Sequence, residues 1–448
     1  MEYSLDQVIE EMGEALVRGE GALFLGSGIS AASGLPDWFD LMKMIAKPLG
    51  LELARSDDLA KIAQYVINSD NGNRGPLVGR LRRTLSQKEI RQNEYHAAIS
   101  RTNVATIWTT NFDNLLERVL ATMRLAVRAN DGDLTGGIRE SDIELLKIHG
   151  CIDRSNTDEL ILTQEDYENF SVTRPALAER LRHDLIHNSV LFAGYSYRDP
   201  NIETVLVEAR RLAAGATREH FFISKREVDP DSLIRQKLWH DDLRRFGIRT
   251  AFIEDYQELT GALNRLALLS RGKSVFITGS HTTSHTELAE EVGKLLAAES
   301  GIVLLDGQQS TGIGRAAANA FGTACVKEFS DIRGRIRYFP NPYAFNQDFS
   351  NDASLLGTLK QWRVSLARAA HVVIVFDGGM GTEAEVEVIR EMDCTIVPVM
   401  GKKEGTAERL LGDPKITDRL SQTYVSKAKE GTAKAVDVVE CIIDVFSK

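Results

Sequence analysis

The sequence predicts an α/β protein built from two Rossmann-like, doubly wound domains. Short apolar runs alternate with amphipathic helical segments along most of the 448 residues, and such runs are typical of strands buried in a parallel sheet. The alternation stops at the segment SRGK, residues 270–273, and then starts again. We therefore expect one domain over residues 1–269 and a second, smaller one over residues 274–448.

The elements of the first domain follow from this pattern. Ser4 is placed to cap a helix over residues 5–18, and apolar residues recur at helical spacing between Pro36 and Ser100. The expected strands are GALFL, NVATIW, IELLKIHG, SVLFAGYS, HFFIS and IRTAFIE, with a helix over 200–213 after the fourth. Ligands of such folds bind at the C-terminal ends of the strands, so the loops that follow them are the expected binding region.

The second domain repeats the alternation. Its expected strands are SVFITGS, GIVLLDG, RIRYFP, HVVIVF and CTIVPV, and its expected helices cover 285–299, 315–324, 354–369 and 383–391. Glycine-containing turns follow several of these strands. A second nucleotide site is therefore expected in this half of the chain.

Composition and charge limit the classes of function. The net charge is −10 with a pI near 5.5 and no dense run of Lys or Arg, which argues against broad binding to nucleic acid. The acidic N-terminal segment is unlike a secretory signal, and the apolar runs are too short to cross a bilayer. The four scattered cysteines form no CxxC pair, so no cysteine zinc site is indicated. We expect a cytoplasmic protein without a metal, a membrane or a nucleic-acid partner.

The segment GALFLGSGISAASGLPDW, residues 21–38, carries the main local signal of the first domain. A glycine-rich turn between a strand and a helix can present N–H groups to a phosphate, although it also serves as a plain tight connection. The segment lacks the GxGxxG spacing of dehydrogenases and the lysine of P-loop NTPases. Hydride transfer and ATP hydrolysis are therefore disfavoured.

Four loops together resemble the sirtuin family over roughly residues 10–265. In chain order they read GSGIS with SGLPD (26–30 and 33–37), TNFD (110–113), HG (149–150) and GYSYRD (194–199). Sirtuins read GAGxS with SGIPDF, QNxD, HG and GTS; here Ser27 replaces the alanine, Thr110 the glutamine and Tyr195 the threonine. The last loop is similar to the divergent bacterial branch of the family. The resemblance implies that NAD is the bound nucleotide.

The resemblance also implies roles for individual side chains. His149, whose ordinary pKa is near neutrality, would act as the base. Asn111 would hold the ribose hydroxyls or the attacking water, and Asp113 would bind the nicotinamide carboxamide. The expected NAD contacts of this domain are Gly26, Ser27, Gly28, Ser30, Asp37, Gly194 and Ser196.

Plainer explanations exist for several of these residues. A histidine at a strand end can be a satisfied structural residue. Asn111 and Asp113 can serve as a cap for a helix over 113–120, which suits Asp113 better than both together. Asp199 suits the start of the helix over 200–213.

The chain departs from protein-deacylating sirtuins in one respect. Those enzymes carry a zinc module with two cysteine pairs, whereas Cys151 is the only cysteine between Asn111 and Ser196. Residues 40–100 suggest an extra helical insertion instead. Water is then the simplest acceptor, which predicts NAD hydrolysis to nicotinamide and ADP-ribose. A non-catalytic nucleotide-binding regulator, and a protein deacylase or ADP-ribosyltransferase, remain the alternatives.

The segment FDGGMGTEAE, residues 376–385, predicts a second phosphate cradle in which Thr382 caps the following helix. With Thr278-Gly279-Ser280, Gly312-Ile313-Gly314 and Arg363, it resembles the SLOG superfamily, which includes the Lonely-guy enzymes. These read PGGxGTxxE, and Asp377 stands at the proline. The expected nucleotide contacts are Gly279, Ser280, Arg363, Gly378, Gly379, Gly381, Thr382 and Glu385. Arg363 also fits a solvated helix charge, and Glu383 and Glu385 fit partners of the helix dipole.

The order of the two domains resembles the NAD-depleting effectors of Thoeris anti-phage defence over the whole chain. This resemblance implies that a cyclic ADP-ribose isomer, made by a partner TIR-domain protein, binds the SLOG domain and releases NAD hydrolysis. It further implies a homo-oligomer, with a tetramer expected. Such a ligand acts only through a difference in its affinity for the resting and active states.

Overall fold

The computed structural model describes residues 3–54, 57–86, 90–135, 142–194, 206, 218–280, 285–327, 332–342, 353–399 and 405–447. The chain divides into two compact units, Met1–Ser270 and Arg271–Lys448. Each unit contains one parallel sheet flanked by helices. The predicted α/β class with two Rossmann-like parallel sheets is confirmed.

The first unit contains a seven-stranded parallel sheet in the order β3-β4-β2-β1-β5-β6-β7. Its strands are β1 (Gly21–Leu25), β2 (Thr106–Thr109), β3 (Leu125–Arg128), β4 (Ile143–Lys147), β5 (Ser189–Ala193), β6 (His220–Lys225) and β7 (Ile248–Ile253). All six predicted strands are present. The edge strand β3 was not predicted, because only half of its four residues are buried and it lacks a continuous apolar run.

The register of this sheet brings the candidate loops to one edge. Leu25 at the end of β1 pairs with Thr109 of β2 and with Ala193 of β5. Thr109 pairs in turn with Lys147 of β4. The chain segments that follow these four strands therefore start side by side, as expected at the C-terminal edge of a parallel sheet.

The helices of the first unit include the predicted N-terminal one, which begins after Ser4 with a capping box. The α-helices described in this unit are Leu5–Val17, Ser27–Ala31, Trp38–Ile45, Leu59–Ser69, Gly75–Leu85, Glu94–Arg101, Leu115–Val119, Gln164–Glu168, Phe170–Thr173, Pro175–His187, Pro230–Leu243 and Tyr256–Leu269. The predicted helical region between Pro36 and Ser100 is thus confirmed. The predicted helix over 200–213 lies outside the described residues, apart from Leu206.

Three of these helices form a hydrophobic cluster next to the candidate site. They contribute buried side chains such as Met42, Ile67 and Leu81, and the cluster also takes in Phe112 and Ile152. The helical segment therefore packs directly against the loops that follow β2 and β4.

The second unit contains a five-stranded parallel sheet in the order β10-β9-β8-β11-β12. Its strands are β8 (Ser274–Thr278), β9 (Val303–Asp306), β10 (Ile336–Tyr338), β11 (Val372–Phe376) and β12 (Thr395–Val399). All five were predicted. The strand order reverses between β8 and β11, which is where open α/β sheets form their ligand crevice.

The α-helices described in the second unit are Thr286–Ala298, Ile313–Lys327, Ile332–Arg335, Ala353–Ala369, Met380–Glu391, Thr406–Leu411, Pro414–Thr417, Gln422–Lys429 and Ala435–Ser447. The helix expected from residue 383 begins earlier, at Met380, with Gly379 as its N-cap and no side-chain cap. The prediction that Thr382 caps this helix was therefore wrong. Thr382 lies in the first helical turn, where its hydroxyl packs closely over Gly378.

Three further observations concern the described part of the chain. None of its helices is long and apolar enough to cross a membrane. Among the described residues, no three His, Cys, Asp or Glu side chains are grouped so that they could hold a metal ion. All four cysteines are buried thiols.

Candidate active site

The glycine loop after β1 packs against the end of β5. The N–H of Gly26 donates to the Ala193 carbonyl at 3.0 Å, and that of Gly28 donates to the Gly194 carbonyl at 2.8 Å. A Cβ on Gly28 would lie 3.0 Å from the Gly194 Cα, and one on Gly194, whose φ is +61°, would lie 2.7 Å from the Ile29 nitrogen. Both glycines are therefore required by the close approach of the two loops, and the Gly28 N–H is bonded within the protein.

Asn111 lies at the centre of the site, with 6% of its surface exposed. Its N–H donates to the Thr109 hydroxyl at 3.0 Å. Its side-chain Nδ2 donates to the Gly26 carbonyl and to the Ser30 hydroxyl, each at 3.1 Å. The carboxamide is therefore fixed between the loops after β1 and β2.

The oxygen of this carboxamide is buried but has no hydrogen-bond partner among the described residues. A buried polar atom left in this state costs about 1–3 kcal/mol. Such cost is tolerated where a ligand supplies the missing group. The Asn111 Oδ1 is thus an acceptor ready for a hydroxyl or a water.

Asp113 makes contacts of a structural kind. Its Oδ1 accepts from the Leu115 N–H at 3.0 Å, at the start of the helix Leu115–Val119. Its carbonyl accepts from the buried Lys147 ammonium. The N-cap of this helix is Asn114 and not Asp113, so Asp113 binds the helix start from the position before the cap.

His149 follows β4 and is buried, with 4% of its surface exposed. Its ring packs edge-on against Tyr167, with centroids 5.4 Å apart, and lies 6.0 Å from the Phe112 ring. Phe112 follows Asn111 directly, so the structure brings the two predicted catalytic residues to neighbouring strand ends with an aromatic ring in contact with the histidine. This arrangement limits the access of water to the imidazole.

The remaining predicted NAD contacts of the first unit include Asp37, Ser27 and Ser196. Asp37 caps the helix Trp38–Ile45 by accepting from the Asp40 N–H at 2.8 Å. Ser27 is partly buried in the first turn after the glycine loop. Ser196 and Tyr195 lie outside the described residues, as does the rest of the segment 195–199.

Sequence reasoning missed Asn93 and His96. The Asn93 Nδ2 donates to the Ile29 carbonyl at 2.8 Å and to the Ser33 hydroxyl at 3.0 Å. Asn93 therefore fixes the segment that follows Gly28. His96 lies 2.9 Å from the Asn93 Oδ1 through its Nδ1. Burial lowers the pKa of His96 to about 4, although the nearby Asp113 charge opposes the shift. The available signal was the Asn-x-x-His pattern at a helix start, where asparagine is a favoured N-cap.

A second candidate site lies in the second unit, where β8 and β11 end. The Ser280 N–H donates to the Asp377 carbonyl at 2.9 Å, so the Gly279-Ser280 turn contacts the loop after β11. Gly379 and Gly381 face open space, and Met380 between them is 87% exposed. The N-terminus of the helix Met380–Glu391, which carries the positive end of its dipole, is therefore accessible.

The remaining predicted residues of this site are held in different ways. Glu385 accepts from the Thr278 hydroxyl. Glu383 pairs with Arg409 on the surface. Asp377 accepts from the Ala407 N–H at 3.0 Å and thereby caps a neighbouring helix. Arg363 is partly buried, and its Nε lacks a hydrogen-bond partner among the described residues.

Comparison with known proteins gives a consistent picture. The family model for the SIR2-like domain matches residues 105–245. A relative from Enterococcus faecium, the NAD(+) hydrolase ThsA, is 30% identical over 351 residues, which are 73% of this chain and 72% of the relative. The chain belongs to the ThsA family of NAD(+) hydrolases.

Two more members of this family extend the comparison. The protein of Bacillus cereus (strain MSX-D12) is 31% identical over 301 residues, covering 63% of this chain and 62% of its own length. That of Acinetobacter baumannii (strain 532279) is 25% identical over 426 residues, covering 88% and 86%. Both are NAD(+) hydrolases by name. The predicted membership in a sirtuin-like family of NAD-cleaving defence effectors is confirmed.

Proposed function

We propose that the first unit hydrolyses NAD+ to nicotinamide and ADP-ribose, and that the second unit binds a cyclic ADP-ribose-type nucleotide that releases this activity in anti-phage defence. Membership in the ThsA family supports the reaction. The observation that carries the assignment of the site is the buried, unpartnered Oδ1 of Asn111, fixed between two strand-end loops.

The chemistry matches the residues. Water adds to C1′ of the nicotinamide ribose while the C1′–N bond breaks, and the electron pair of that bond leaves with neutral nicotinamide. The ribose passes through an oxocarbenium-like state. Asn111 Oδ1 accepts from a ribose hydroxyl or from the attacking water, and His149 takes the proton that the water gives up. Because nicotinamide is a good leaving group, fixed geometry matters more than a strong acid.

The second unit offers what a ribose diphosphate needs. The open N-terminus of the helix Met380–Glu391 attracts phosphate. The partly buried guanidinium of Arg363 suits a second phosphate oxygen because its planar fork bonds such groups directionally. We expect Gly279, Ser280, Gly378 and Thr382 to line the same crevice, since their loops meet at the strand reversal.

The activity must be regulated, because the reaction consumes a cofactor that the cell needs. Free hydrolysis of NAD+ would deplete a healthy cytoplasm, so a resting state must suppress it. A 100-fold activation requires the nucleotide to favour the active state by about 2.7 kcal/mol. The resemblance to Thoeris effectors supports a TIR-domain partner as the source of the signal and a homotetramer as the active form.

The test is NAD+ cleavage by the purified full chain, with and without cyclic ADP-ribose isomers, followed by chromatography of nicotinamide and ADP-ribose. Asn111→Ala should lower nicotinamide release by about 100-fold or more, as loss of a group that orients the reaction does. Asn114→Ala is the matched control, because Asn114 is a nearby asparagine bonded to Asp153 on the surface. If the wild type with ligand releases no more nicotinamide than Asn111→Ala, the proposal fails. Binding without turnover would favour the regulator, and turnover of acyl peptides would favour a deacylase.

A further inference from the structure

A lysine lies fully buried beneath the candidate active site. Lys147 is the last residue of β4, two positions before His149, and 1% of its surface is exposed. Its Nζ donates to the Asp113 carbonyl and, at 2.7 Å, to the Glu117 Oε1. Lysine is rarely this buried, and both of its contacts go to the segment that carries Asn111.

The two segments are joined on either side of Asn111. The Ile148 N–H donates to the Thr109 carbonyl at 3.0 Å, and the Ile152 N–H donates to the Phe112 carbonyl at 2.9 Å. The Lys147 contact to the Asp113 carbonyl adds a side-chain bond to this set. The backbone around Asn111 is thus fixed to the segment that delivers His149.

The ammonium is charged in this setting. Burial alone would lower the pKa of Lys147, but the carboxylate of Glu117, with smaller effects of Cys151 and Asp113, raises the pKa above its ordinary value. Burial also raises the pKa of the Cys151 thiol, which lies 3.6 Å from the Glu117 Oε1. A fixed positive charge therefore faces a backbone carbonyl and a single carboxylate.

We infer that Lys147 is a positioning residue for NAD+ cleavage. Its ammonium fixes the Asp113 carbonyl and thereby the direction in which Asn111 presents its carboxamide to the ribose. The inference rests on the proposed function, because that function makes Asn111 the group that faces the sugar. Lys147 itself does not touch the substrate, since its side chain ends on Asp113 and Glu117.

The first experiment measures steady-state NAD+ cleavage by full-length Lys147→Met and Lys147→Arg, normalised to folded protein. Lys147→Met removes the donor and should lower kcat by about 30-fold, because small displacements of a positioned group cost this much. KM should stay within about 3-fold, since the glycine loop still binds the nucleotide. Lys147→Arg keeps a cation and should recover most of the loss. Wild-type kcat in Lys147→Met would overturn the inference.

A double variant separates positioning from stability. In Lys147→Met alone, the partly buried Glu117 carboxylate is left without its cation, which also lowers the melting temperature. Lys147→Met with Glu117→Leu removes both charges and should restore the melting temperature, while kcat stays low because the Asp113 carbonyl still lacks its donor. Recovery of kcat together with stability would show a merely structural role and overturn the inference.

A buried ion pair between two neighbouring strands of the same sheet supplies the control. Arg128 pairs with Glu144 at 3.1 Å, and both side chains are buried. Arg128→Met should lower the melting temperature like Lys147→Met but keep kcat per folded molecule within about 2-fold. An equal loss of kcat in this control would contradict a specific role for Lys147. If the wild type releases no nicotinamide at all, the proposed function fails first and the inference falls with it.

Discussion

The two glycine-rich loops look alike in sequence but have different surroundings. After β1, Gly28 and Gly194 face each other so closely that neither position has room for a Cβ, and the Gly28 N–H is bonded to its neighbour. After β11, Gly379 and Gly381 face open space at an uncapped helix start. Gly28 and Gly194 therefore serve packing, as does Gly378 under the Thr382 side chain, whereas Gly379 and Gly381 leave an accessible helix terminus in the second loop. A glycine motif alone does not separate these roles.

Substitution at these glycines should give the largest difference between the loops. Gly194→Ala places a Cβ against the Ile29 backbone at a positive φ, and we expect it to lower the free energy of unfolding by about 3 kcal/mol. Gly381→Ala in the open helix start should leave this free energy unchanged or raise it by about 0.5 kcal/mol. Urea unfolding of both variants measures the contrast. Equal effects would contradict it.

At the second loop, nucleotide binding should be weakened by removal of the nearby cation Arg363. Arg363→Ala should weaken binding of a cyclic ADP-ribose isomer by about 30-fold and abolish activation, because a partly buried donor to phosphate is lost. Calorimetry measures the affinity, and Lys360→Ala on the exposed face of the same helix is the control. Unchanged affinity in Arg363→Ala would remove this residue from the site, whereas NAD+ binding to the first unit should persist.

Low pH should lower the free energy of unfolding through protonation of His96, which contacts Asn93 behind the first loop. The folded pKa of about 4 lies below the ordinary value of 6.5, so the unfolded chain binds the extra proton and stability falls as the pH drops below 6.5. Between pH 7 and pH 5 this residue should cost about 2 kcal/mol. Urea unfolding at both pH values, with His96→Gln compared to wild type, measures the effect. A variant that is equally acid-sensitive would show that His96 does not contribute.

Local patterns were sufficient to predict most of the fold. Continuous apolar runs predicted eleven of the twelve strands in the described part of the chain, and β3 was missed because its half-buried first two residues break the pattern. The early start of the helix at Met380 was missed because Gly-Gly-Met-Gly disfavours a helix by propensity. Tertiary packing of Thr382 over Gly378 accompanies the observed start.

The site was predicted less completely, since its supports are not local. The contacts of Asn93 with Ile29 and Ser33 span 64 and 60 positions, and the pairing of Lys147 with Glu117 spans 30. No spacing rule connects such residues. Asp37 shows the converse: its capping contact with the Asp40 N–H spans three positions and is local in sequence. Asp113 was expected to cap a helix over 113–120, but the helix begins at Leu115 with Asn114 as its N-cap.

The most direct test of the account is a structure of the full chain with ADP-ribose bound. We predict that the Asn111 Oδ1 lies about 2.6–3.2 Å from a ribose hydroxyl or from a water on C1′, with the His149 ring at the same sugar. A ribose bound elsewhere on the chain, with the Asn111 oxygen still lacking a partner, would contradict it.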